Sequence, residues 1–94
     1  MTIDEFEDRL WRDGYLEIKH RWLERGEDTP PHCHDFDTRL LVQEGELTLV
    51  CADARHTYRA GEILDITAGV EHRECYAPAP VRFVAGLRRR AALP

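Results

Sequence analysis

The chain has 94 residues, 18 acidic side chains against 13 basic ones, and a formal net charge of −5. Its length suits one domain, and no Gly/Ser/Pro-rich stretch is long enough to link two. The acidic balance, with no basic stripe interleaved by aromatics, argues against nucleic acid as a partner, and no run of about 18 apolar residues offers a membrane span.

The first predicted element is a helix: Ile3, Phe6, Leu10 and Trp11 recur at helical spacing, Thr2 stands as N-cap, and Asp4 and Glu5 suit a helix N-terminus. Gly14 ends it. From Leu16 the rhythm becomes alternation, with Leu16, Ile18, His20 and Trp22 on one face and Glu17, Lys19 and Arg21 on the other. The apolar set predicts a strand that buries Leu16, Ile18 and Trp22, with His20 as a further polar group inside.

Pro30 and Pro31 oppose regular pairing and keep the chain extended as it enters His32-Cys33-His34, so the histidines are expected to begin a strand. Leu40-Leu41-Val42 continues it, Glu44-Gly45-Glu46 turns it, and Leu47 to Cys51 runs back, which reads as a β-hairpin. Ala52 to Arg55 is a turn, Thr57-Tyr58 a brief strand, and Ile63 to Ile66 a strand that ends at Thr67-Ala68-Gly69. Val70 to Tyr76, the Ala77-Pro78-Ala79-Pro80 break, and the alternation of Val81, Phe83, Ala85 and Leu87 complete the set. Short strands at even spacing with little helix indicate a sandwich or barrel. Arg88, Arg89 and Arg90 read as a solvated C-terminal end.

Cys33, Cys51 and Cys75 are odd in number and lack C-x-x-C spacing, so reduced thiols are expected. The N-terminus has neither the basic flank nor the apolar stretch of a signal peptide, and a cytoplasmic location is expected. Trp11 and Trp22 are expected as core or dimer-interface anchors.

The chemistry lies in the histidines. His32 and His34 sit two apart, which in an extended strand puts both rings on one face, about 6.5–7 Å apart along the backbone. His72 shares parity with Val70 and faces inward if Val70 does. Burying neutral imidazoles without partners costs about 1–3 kcal/mol each, and one divalent metal would satisfy all three. Glu74 and Tyr76 share the parity of His72 and are candidates for acid, base or an orienting role beside such a metal, with His20 a further candidate. Cys33 faces away from its flanking histidines, Cys51 reads as a small core residue, and Cys75 faces opposite His72.

These residues resemble the cupins. The first cupin motif is a Gly, five residues, His-x-His, three or four residues, Glu, six residues and a Gly; Gly26, His32, His34 and Gly45 stand in register, and the position of the Glu falls on Thr38. In the second, Gly61, Gly69 and His72 match, while Thr67 replaces a Pro and Tyr76 an Asn. The resemblance implies an all-β fold: a small antiparallel double-stranded β-helix, or jelly-roll, barrel with a short N-terminal helix. It also implies one divalent metal near the wider mouth, held by His32, His34 and His72. The expected layout is a single domain over 1–94, with the helix in 1–14, the barrel in 15–88 and a tail in 89–94. A homodimer is expected from domain size and the resemblance.

Three neutral imidazoles favour Zn, Fe, Ni or Cu over Mg or Ca. Thr38 is a poor ligand, which leaves a position open to water or substrate. Three functions stay open: a metal-dependent enzyme of the oxygenase (dioxygenase) type acting on a small molecule, a non-catalytic barrel that binds or senses a small ligand and acts with a partner, or a metal-free barrel with vestigial histidines.

Overall fold

The computed structural model describes residues 1–76, 78 and 80–89. Helix α1 spans Ile3–Arg12 and is followed by β1 (Glu17–Leu23), β2 (Phe36–Glu44), β3 (Glu46–Cys51), β4 (Ala54–Arg59), β5 (Ile63–Ile66), β6 (Arg73–Cys75) and β7 (Val81–Arg89). The strands form two antiparallel sheets, one in the order β1-β7-β2-β5 and the other β4-β3-β6. Leu40, Val42, Leu47, Leu64, Ile66, Val81 and Phe83 pack between them as the main core. Alternating inward side chains from two facing sheets make such a core.

α1 starts where the N-cap signal lies. Thr2 Oγ1 accepts from the Glu5 N–H at 3.1 Å and the Glu5 carboxylate accepts from the Thr2 N–H at 3.3 Å, a capping box that satisfies two otherwise unpaired donors. The apolar stripe of α1 covers the outer face of the larger sheet, where Phe6 and Leu10 pack with Tyr15, Leu41 and Val84. The close approach depends on Gly86 of β7, since a Cβ there would stand 2.7 Å from a Leu10 methyl carbon. β2 and β7 are therefore buried on both faces, by the core within and the helix without.

Glu44-Gly45-Glu46 does not close the expected hairpin: β2 pairs with β5 and β7, whereas β3 pairs with β4 and β6, so the chain changes sheets at Gly45. Gly45 takes φ +82°, and a Cβ there would meet the Pro80 carbonyl oxygen at 2.3 Å, so both the turn and the packing against the opposite crossing exclude a side chain. The hairpin is β3–β4, closed by Ala52 and Asp53.

β1 is also turned over relative to the expectation. Leu16 is 64% exposed and Trp22 43%, whereas Lys19, Arg21 and Leu23 line the space between the sheets. Of the predicted inward set only Ile18 is covered, and it packs under α1 on the outside of the sheet. Trp11 and Trp22 are both exposed, which excludes the core reading for them. β7 runs one residue into the predicted tail, to Arg89; residues 90–94, including Arg90, lie outside the described residues, as do Ala77 and Ala79 of the predicted break.

Candidate metal centre

Residues 27–32 are drawn along β6 by backbone hydrogen bonds. His32 and His72 exchange both N–H···O=C bonds at 2.9 Å, Thr29 N–H donates to the Glu74 carbonyl at 2.9 Å, and Tyr76 N–H donates to the Glu27 carbonyl at 2.9 Å. Glu74 N–H in turn donates to Thr29 Oγ1 at 2.9 Å. The histidines thus precede β2 rather than begin it, and an isolated antiparallel bridge sets His32 directly opposite His72. Directly opposed residues put their side chains on the same face, close enough to touch.

The three rings meet there. Ring centroids are 4.4 Å apart for His32 and His72, 4.8 Å for His32 and His34, and 5.4 Å for His34 and His72. Each of His32, His34, His72 and Glu74 can present one ligand atom within 4.8 Å of the others. The imidazoles of His32 and His72 are oriented alike: Nδ1 lies 2.7 Å from the Pro30 carbonyl oxygen in the first and 3.0 Å from the Val70 carbonyl oxygen in the second. A carbonyl only accepts, so each Nδ1 carries a proton and, in the neutral ring, each Nε2 presents a lone pair. His34 stacks on Phe36 at 4.5 Å.

Both Nε2 lone pairs point toward the same carboxylate oxygen. Glu74 Oε1 lies 3.2 Å from His72 Nε2 and 3.7 Å from His32 Nε2. His72 is 2% exposed, and its Nε2 is buried without a hydrogen-bond partner. Acceptor facing acceptor in a buried place is repulsive unless a second proton or a cation lies between them. The donor set of imidazole nitrogens and one carboxylate suits a divalent transition metal. Burial, with the neighbouring His32 and His72, holds the His34 pKa below the usual histidine value, which favours the neutral, ligating form.

His72 faces inward even though Val70, its parity mate, is exposed; the backbone bridge to His32, not strand alternation, turns the ring in. The carboxylate of the cluster is Glu74, two residues after His72, while Thr38 lines the adjoining cavity. Tyr76 is buried, stacks on Phe83 and donates its hydroxyl to the other Glu74 oxygen. The expectation that His20 lies inside the barrel is corrected: it faces outward and its Nε2 lies 2.8 Å from Glu7 of α1. Cys33 is exposed, and Cys51 packs against the core.

Beside the cluster is a cavity of about 320 Å³, walled by Leu40, Ile66, Phe83 and Leu87 and bordered by His32, His34 and Glu74. Its size is near the lower end of small-molecule sites, about 300–1,000 Å³. A polar cluster at one wall of a largely apolar cavity is an arrangement that can hold a small ligand against a metal.

Comparison with known proteins agrees with this architecture. An uncharacterized protein of Methanocaldococcus jannaschii is 31% identical over 65 residues, 68% of this chain and 56% of that protein, so the chain matches little more than half the length of that relative. A crystal structure of a cupin-2 domain containing protein from Shewanella frigidimarina superposes with a TM-score of 0.65 at 30% identity, covering 78% of this chain and 69% of the other. A cupin 2 conserved barrel domain protein from Salinispora arenicola shares the fold at 19% identity and a TM-score of 0.62, over 76% of this chain and 62% of its own. The cupin domain family profile matches residues 21–85, from within β1 to within β7, and the chain belongs to that family.

Proposed function

We propose that this chain is a small metal-binding cupin that holds one divalent transition metal through His32, His34 and His72, with Glu74 as the carboxylate of the site. The observation that carries the reading is the buried, unpartnered Nε2 of His72 facing Glu74 Oε1 beside a second, similarly oriented imidazole. A metal held there by His32, His34 and His72 would supply Lewis acidity, or redox chemistry were it iron(II). The adjoining cavity supports a small-molecule ligand, and with iron the reading is an oxygenase-type enzyme. Tyr76 keeps Glu74 in place by donating to the oxygen turned away from the imidazoles.

One observation favours the alternative of a non-catalytic ligand-binding barrel. Glu74, the carboxylate best placed to serve as acid or base, turns one oxygen toward two imidazole nitrogens and has the other held by the Tyr76 hydroxyl. Homodimer formation is part of the proposal and is tested by sedimentation of the untagged chain.

Elemental analysis of untagged protein beside its His32→Ala/His34→Ala/His72→Ala variant tests the centre. The expected result is one equivalent of a transition metal in the parent and none in the variant. No metal in the parent, even after reconstitution with zinc or iron, overturns the reading.

A further inference from the structure

The cavity has a second charged wall, opposite in character to the histidine cluster. Lys19 and Arg21 lie on the inner face of β1 and border the same space as His32, His34 and Glu74. Both cations are exposed at the edge of that space, and on the other face of the strand Ile18 packs under α1 while Trp22, like Leu16 just before the strand, is exposed. The other strand arginines bordering the large sheet are matched: Arg39 pairs with Asp13 and Asp65, Arg88 with Asp37, and Arg89 with Glu17. Among the described residues Arg21 makes no ion pair, and Lys19 acts only through space on Glu17, which Arg89 holds.

We propose that Lys19 and Arg21 bind the carboxylate of a small organic acid whose other end lies at the His32, His34, His72 and Glu74 cluster. A guanidinium fork matches a carboxylate in two-point geometry, and the lysine adds a point charge beside it. Glu27 borders the same cavity and reduces its positive potential, so the ligand is an acid of low charge rather than a polyphosphate. The cavity volume sets the same limit on size. The inference rests on the proposed metal centre for the far end of the ligand only.

The test is titration of the ¹⁵N-labelled, untagged, zinc-loaded protein with acetate, malonate and succinate, with succinamide as the neutral control, followed by amide chemical shifts. At least one acid is expected to give saturable shifts at residues 19–23 and 32–36, with none from succinamide. Lys19→Gln/Arg21→Gln is expected to weaken that acid at least tenfold while zinc content stays at the parent level. Absence of saturable shifts with all three acids, or equal affinity in the double variant, overturns the proposal. The same titration of metal-free protein separates the two claims. Failure to load zinc counts against the metal centre, while acid binding that still depends on Lys19 and Arg21 upholds the cation pair. Loss of acid binding in both forms overturns the pair.

Discussion

The outer face of the larger sheet and the space between the two sheets carry two polar clusters of opposite kind. On the outer face Asp37, 5% exposed, accepts from Arg88 Nε at 3.2 Å, from Arg88 Nη2 at 2.9 Å and from the Ala68 N–H at 2.9 Å. Arg39 bonds Asp65 and Asp13 at 2.8 Å each, and both guanidinium groups lie over the Tyr15 ring, at 5.0 Å for Arg39 and 4.6 Å for Arg88. Donors there meet acceptors, and the cluster ties the end of α1 to β2, β5 and β7. On the inner side His32 and His72 aim lone pairs at a carboxylate, and one nitrogen has no partner. A saturated cluster belongs to the fold's stability, whereas one whose acceptors face each other is able to take up a cation.

The largest expected effect is stabilisation by metal. At a free zinc concentration a hundredfold above its dissociation constant, unfolding is expected to cost about 2.7 kcal/mol more than in chelator. The triple histidine variant should show no such increment in urea melts. Next in size is Asp37→Ala, which strips the acceptor from a half-exposed arginine and a backbone N–H and is expected to lose about 2–3 kcal/mol of stability. Metal content of that variant should be unchanged by elemental analysis; a loss of both would mean that the two clusters are not independent.

A smaller effect sharpens the inner cluster alone. Tyr76→Phe keeps the ring stacked on Phe83 but removes the hydroxyl that fixes Glu74, and metal affinity is expected to fall about tenfold in competition with a chelating dye. The smallest belongs to an exposed pair that is part of neither cluster. Arg89 beside Glu17 holds that carboxyl below its ordinary value of 4.5, so the pair's contribution is present above that value and lost as pH falls through the lowered one. Comparing melts of the parent and Glu17→Gln from about pH 6 to about pH 3 should show only a slight difference in slope, because both groups are solvated.

Local signals were legible where one physical rule acted alone. Thr2 and Glu5 marked the helix start, Ile63 to Ile66 emerged with the observed bounds, and the three histidines were picked out by spacing and by their match to two motifs. In β1 the alternation predicted from the sequence holds but its direction is reversed, with Lys19 and Arg21 rather than the apolar set on the cavity side. The exchange of sheets at Gly45 was hidden because alternation along β2 and β3 says which side chains are buried, not which sheet buries them. Parity alone puts Glu74 on the side of His72, whereas its place beside both imidazoles depends on the alignment of residues 27–32 along β6. His20 faces outward because it shares the parity of the outer set of β1.

The mutual backbone bonds of His32 and His72 make the candidate centre a socket rather than a clasp. A bond made through main-chain atoms survives replacement of either side chain, so the spacing between the two positions does not depend on what occupies them. An incoming ion therefore need not gather its ligands from a disordered loop, and little ordering entropy is left to lose on binding. Ions of different size meet the same fixed distance, and selection among them rests on the chemistry of nitrogen and oxygen donors instead of on how far the chain will bend.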